Sequence, residues 1–145
     1  MNPKLSEQFF VRDNEEKDFG VLIDLTYRCA LECPRCQRQE FFRDHGEKVW
    51  GEDIPLDTIE KATDIFKAIN FGGQLSDPIH HPHFIEILKL CYDKGVHTNI
   101  ATASTGKPKS WFIKAFEANP NARWQFGIDG LPEESHKYRV NQDGQ

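Results

Sequence analysis

Apolar positions along the chain fall into short runs with two different periods. Gly20-Val21-Leu22-Ile23-Asp24-Leu25-Thr26 is a compact apolar run rich in β-branched residues and bounded by glycine, the pattern of a buried strand. A segment bearing three cysteines follows directly, in the loop leaving that strand. Residues 37–56 are polar and irregular, with Gly46, Gly51 and Pro55, and predict a long loop of the kind that is often functional. Asp57 with Glu60 has the form of a capping box, and Ile59, Ala62, Phe66 and Ile69 then recur at helical spacing through about residue 69. Asn70 to Leu75 predicts a weak strand softened by Gly72 and Gly73. Pro82 opens a second helix whose Phe84, Ile87, Leu88 and Cys91 share a face, and Gly95 is a suitable stop. Val96 to Ala101 predicts a third strand. Ser110 can cap a helix carrying Trp111, Ile113, Ala115 and Phe116, which ends before Asn119-Pro120. Trp124, Phe126 and Ile128 alternate as in a fourth strand.

The order β-α-β-α-β-α-β predicts an α/β fold with a parallel sheet and right-handed crossovers. No internal repeat interrupts it. Two regions follow from the pattern: a polar leader over residues 1–18 and a core domain over residues 19–145. About four βα units cannot close an eight-fold barrel. The chain ends just after the fourth strand, at Val140 to Gln145, so the expected domain is a partial, apparently truncated one.

Composition narrows the class. With 145 residues, 38% of them hydrophobic and 28% charged, the chain is globular in type and long enough for one modest core. A net charge of −5 and scattered basic residues leave no nucleic-acid footprint. No apolar run approaches the ~20 residues that span a bilayer, so no membrane partner is expected. The acidic, polar start is unlike a secretory signal, and a cytoplasmic location is expected. Four cysteines in that compartment argue against disulfides, and three of them lie within eight residues, which points to ligation.

That segment reads Cys29-Ala30-Leu31-Glu32-Cys33-Pro34-Arg35-Cys36, or C-x3-C-x2-C. Four irons of a cubane take four thiolates when fully ligated. Three thiolates from one loop leave one iron open, and an open position is what makes a metal site reactive. The spacing, the place after the first strand and the Cys-Pro-x-Cys ending closely resemble the radical S-adenosyl-L-methionine (SAM) superfamily. The resemblance implies a partial (β/α) barrel with a 4Fe-4S cluster on Cys29, Cys33 and Cys36 at the C-terminal face of the strands. It further implies that SAM chelates the open iron and that an electron donor such as flavodoxin or ferredoxin reduces the cluster. SAM is then cleaved to methionine and a 5′-deoxyadenosyl radical, which abstracts hydrogen from a substrate.

Further segments resemble the family in the same order. Leu75-Ser76-Asp77-Pro78-Ile79-His80-His81-Pro82-His83-Phe84 is similar to the family's Gly-Gly-Glu-Pro segment after the second strand, with Ser76 and Asp77 in the positions that meet the SAM amino group. Asp77 replaces Glu and both glycines are missing there, while Gly72-Gly73-Gln74 just upstream offers a flexible backbone instead. Thr102-Ala103-Ser104 follows the third strand, where the resemblance implies hydroxyl contacts from Thr102 and Ser104 to SAM. Phe126-Gly127-Ile128-Asp129-Gly130 with Tyr138-Arg139 resembles the fourth-strand element, which implies that Asp129 faces the site and that Arg139 pairs with a carboxylate. The similarity covers residues 19–140.

Rival readings remain. The cysteines could serve a non-catalytic iron–sulfur or zinc module, for which His80, His81, His83 and Cys91 are the nearby donors. Cys91 on an apolar helix face reads as a buried, inert thiol. The three histidines read as exposed residues of a Pro-bounded loop, outside the site. Arg35 stands where relatives carry an aromatic residue, and a guanidinium can also stack on a π-face. Tyr27 and Arg28 have no assignable role, and the substrate is unknown from the sequence.

Overall fold

The computed structural model describes residues 20–141. The leader expected over residues 1–18 and the last residues, 142–145, lie outside them. Four strands form one parallel sheet in sequence order: β1 (Gly20–Ile23), β2 (Ala68–Phe71), β3 (His97–Thr102) and β4 (Arg123–Phe126). The register pairs Ile23 with Phe71, Phe71 with Ile100, and Thr102 with Phe126, so all four C-terminal ends share one edge. Between the strands run α1 (Gln37–His45), α2 (Leu56–Ile65), α3 (Phe84–Asp93) and α4 (Lys109–Ala118), and α5 (Ser135–Tyr138) follows β4.

One face of the sheet carries the core. Ile69, Phe71 and Ile100 pack beneath Ile59 of α2, Phe84, Ile87, Leu88 and Cys91 of α3, and Ala115 of α4, all at most 1% exposed. Phe84 is the hinge of an aromatic group, 6.0 Å from Phe71 and 6.2 Å from Trp124, ring centre to ring centre. The opposite face is mostly small or polar, with Leu22 its exposed apolar exception: Gly20, Asn70, Asn99, Ala101 and Gln125 alternate with the core positions, and Asn99 donates to Asn70 across 2.8 Å. Strands of a parallel sheet are ordinarily apolar on both faces, so this alternation marks a face built for something other than a second core layer.

Several expected boundaries move. The expected loop over 37–56 contains α1, which buries no residue and so gives no apolar stripe to read. The helix expected to run to residue 69 ends at Ile65: Phe66 already has extended backbone (ψ 134°), and Ile69 is a buried strand residue. Asp57 sits inside the first turn rather than capping it, with Pro55 at the cap, and Pro108 holds that position for α4 in place of Ser110. β4 stops at Phe126, which leaves Ile128 80% exposed. The helix α3 keeps its expected face, and Gly95 closes it in left-handed backbone at φ +67°. No helix among the described residues is long and apolar enough to cross a membrane.

Candidate functional site at the strand C-terminal edge

In parallel α/β sheets the loops leaving the strands' C-terminal ends build the binding sites. Here they enclose a cleft of about 280 Å³ lined by Cys29, Cys33, Cys36, Ser76, Asp77 and Thr102, with Arg38, Gln125 and Arg139 on its walls. Cys29, Cys33 and Cys36 are all half-buried. The Cys36 amide donates to the Cys33 carbonyl at 2.9 Å, closing the turn before α1, and the Leu31 amide lies 3.5 Å from Cys29 Sγ. Burial pushes the Cys29 and Cys33 thiols above their ordinary value. Among the described residues no group of His, Cys, Asp or Glu converges to hold a single metal ion. The three thiols instead stand around a common space.

The loop is anchored from both sides. Arg28 forks onto Asp53 (Nη2 at 2.9 Å), the Thr26 hydroxyl donates to the same carboxylate, and the Ile54 amide donates to the Leu25 carbonyl at 2.9 Å. Arg28 thus has a structural role that its sequence position does not reveal. From the other side, the Asp77 amide donates to the Arg28 carbonyl at 2.9 Å. The Asp77 side chain is buried: Oδ1 accepts from the Ile79 amide at 3.3 Å, and Oδ2 accepts from the Thr102 hydroxyl and the Ala103 amide, both at 2.9 Å. One carboxylate therefore ties the ends of β2 and β3 together. The neighbouring Ser76 hydroxyl donates to Asp24.

Two of the expected residues stand apart from this cleft. Ser104 adopts left-handed backbone (φ 57°), its amide donating to the Thr102 hydroxyl, and it does not line the cleft. Asp129 is exposed and paired with Arg139, and opens instead on a wider cleft of about 660 Å³ shared with Cys33, Arg35 and Cys36. Arg139 lies on the wall between the two clefts. The histidine segment also differs from expectation: His81 is buried, accepting from the His83 amide at 3.1 Å through Nδ1 and standing 3.0 Å from the Ile54 carbonyl through Nε2. Both ring nitrogens are used within the fold. Cys91 lies in the helix–sheet core, away from both clefts, and burial pushes its thiol up to about 11.

No protein-family model matches the chain. Curated relatives do, among them the following two. The chain is 26% identical over 93 residues to PqqA peptide cyclase of Bradyrhizobium diazoefficiens, covering 59% of this chain and 22% of that protein. It is 29% identical over 86 residues to the tungsten-containing aldehyde ferredoxin oxidoreductase cofactor-modifying protein of Pyrococcus furiosus, covering 59% and 24%. Streptococcus suis SuiB, solved bound to the precursor peptide SuiA, superposes with a TM-score of 0.64 at 15% identity, over 85% of this chain and 27% of that one. The partial α/β barrel is thus matched in a solved structure, and the cysteine motif lies at the C-terminal edge of this chain's strands. These likenesses support the resemblance of the chain to the radical SAM superfamily. The chain matches about a quarter of the length of each of these proteins.

Sequence reasoning missed two wall residues of this cleft. Gln125 was legible in principle, because it is the polar member of the Trp124–Phe126 alternation and so belongs to the open face. Arg38 lies in the stretch read as a loop. Gly73 has a packing requirement of its own: a Cβ there would stand 2.4 Å from the Ser76 carbonyl oxygen. Gly73→Ala must therefore displace the Ser76 turn. A loss of about 1–2 kcal/mol in urea unfolding is expected, as for other overpacked sites, and an unchanged midpoint would show that the turn yields freely.

Proposed function

We propose that residues 19–145 form the N-terminal part of a radical SAM core domain in which Cys29, Cys33 and Cys36 ligate a 4Fe-4S cluster and SAM occupies the adjoining cleft. The observation that carries this reading is the composition of the cleft wall. Three thiols from one loop share it with Ser76, Asp77 and Thr102 from two other strand ends, while the fourth cysteine is sealed in the core. Thiols spread around a space, rather than converging on a point, suit a cubane, whose corners take one thiolate each. The same disposition disfavours a zinc module, which needs four donors at tetrahedral distances.

In this reading Cys29, Cys33 and Cys36 would hold the cluster, whose chemistry when bound and reduced would be one-electron cleavage of SAM to methionine and a 5′-deoxyadenosyl radical able to take hydrogen from substrate. The chain's own residues bind and orient. Ser76 and Asp77 would meet the SAM amino group, with Asp77 Oδ1, which accepts only the long bond from Ile79, the oxygen left with acceptor capacity. Thr102 holds Asp77 in place through its donated hydroxyl. Arg139 offers a cation for a carboxylate, in competition with Asp129. Ser104 and Asp129 would act from the rim of the site. The electron would come from a flavodoxin- or ferredoxin-type donor. Since one curated relative is named for cyclising a peptide and the solved neighbour holds a precursor peptide, a peptide is the substrate class proposed for the complete protein.

The test is product formation. Anaerobically reconstituted protein treated with dithionite and SAM is expected to release methionine and 5′-deoxyadenosine in equal amounts. Iron and sulfide incorporation without any SAM cleavage would favour the non-catalytic cluster module instead.

A further inference from the structure

Arg38 has no part in the reading so far, yet its side chain bonds to two separate loops of the site's framework. It is the second residue of α1, the helix that starts immediately after Cys36. Its Nη1 donates to two backbone carbonyls at once: that of Tyr27, two residues before Cys29, and that of Leu75, one residue before Ser76, the latter at 2.7 Å. One nitrogen therefore joins the loop leaving β1 to the loop leaving β2, at the points where each enters the cleft. The side chain is half-buried, and no carboxylate among the described residues pairs with it. It lines the main cleft with all three cysteines and, with Cys29, a smaller one of about 140 Å³ on the other side of the cysteine loop.

A half-buried cation without a counter-ion is costly unless a negative group stands beside it. Here the candidates for that group are the cysteines of the same cleft, which would be thiolates as cluster ligands. We propose that Arg38 is a positioning residue with two separable duties: it clamps the cysteine loop to the Leu75–Asp77 turn, and its fixed positive charge makes the adjacent cluster easier to reduce. The second duty rests on the cluster reading above, whereas the clamp does not. The physical basis of each is distinct. Clamping needs the planar guanidinium, whose geometry lets one nitrogen serve two carbonyls from two loops. The charge effect needs only a cation, because a cluster that gains an electron gains negative charge, and nearby charge and hydrogen bonding are among the determinants of its potential.

Two variants separate these duties. Arg38→Met removes clamp and charge together; Arg38→Lys keeps the charge on a flexible ammonium. In the cluster-free protein, amide hydrogen exchange over residues 27–31 and 75–77 is expected to quicken in both variants, with exchange in the α3 core unchanged. Equal protection in wild type and Arg38→Met would overturn the clamp. In reconstituted protein, SAM affinity is expected to fall roughly tenfold in both variants, in the range of outer-shell changes at metal sites. The midpoint potential from a redox titration is expected to fall in Arg38→Met and to stay near wild type in Arg38→Lys. A potential that drops equally in both, or in neither, would overturn the charge duty. Failure of the wild type to hold any cluster would sink the functional reading and the charge duty with it, while the exchange experiment would still decide the clamp.

Discussion

Replacing any one of Cys29, Cys33 and Cys36 with alanine is expected to abolish cluster incorporation and, with it, SAM cleavage. The three thiols are the only cysteines that line the cleft, and they come from a single eight-residue loop, so no neighbouring thiol can substitute for a lost one. The loss should exceed the roughly 10–100-fold penalty of an outer-shell change, because a cubane held by two protein thiolates exposes two irons rather than one. Cys91→Ala is the matched control. Its thiol is fully buried in the core and protonated well past neutrality, so its removal should cost about 1 kcal/mol of stability through the small cavity it leaves. Cluster content should not change. Iron and acid-labile sulfide per chain, measured after anaerobic reconstitution of all four variants, check both statements. Loss of iron from Cys91→Ala would make that residue a ligand and would favour the non-catalytic module.

Asp77→Ala is expected to destabilise the protein by about 2–4 kcal/mol. The Asp77 carboxylate is buried and accepts from the Ile79 and Ala103 amides and the Thr102 hydroxyl. Its removal deprives the Ile79 amide and the Thr102 hydroxyl of their acceptor away from water, and such groups keep the cost of their lost hydration. Because those donors belong to β3 and to the turn after β2, the same change should loosen the two strand ends from each other and weaken SAM binding. Asp77→Asn retains one acceptor oxygen and should lose less. Urea unfolding reports the first effect as a lowered midpoint with an unchanged slope. An undiminished midpoint for Asp77→Ala would mean that the carboxylate does not brace the sheet.

Some of this was legible in the chain and some was not, for physical reasons. The face of α3 could be read because Phe84, Ile87, Leu88 and Cys91 follow the helical period and all end in the core between Pro82 and Gly95. The same rule misled at Phe66 and Ile69, whose spacing continues the period of α2 by accident through the turn into β2. The helix α1 was invisible because it buries nothing; it is held by its start at Cys36 and by the bonds of Arg38, neither of which leaves a periodic signal. At the site, the three cysteines were legible as a group because they lie within eight residues of one loop, and the structure places all three on one cleft. Asp77 was legible as a site residue but not as a brace, since its partners lie 25 and 26 residues away. Asp129 was assigned by its place after β4, whereas its pairing with Arg139 turns it toward a different cleft.

The most direct test of the central claim is electron paramagnetic resonance of the reduced, reconstituted protein with and without SAM. A reduced 4Fe-4S signal that changes on adding SAM is expected, since three cleft cysteines would leave one iron without a protein thiolate and free to take the cofactor. A cluster signal indifferent to SAM, or zinc bound in place of iron, would contradict the account, because Cys29, Cys33 and Cys36 would then ligate without leaving a reactive position.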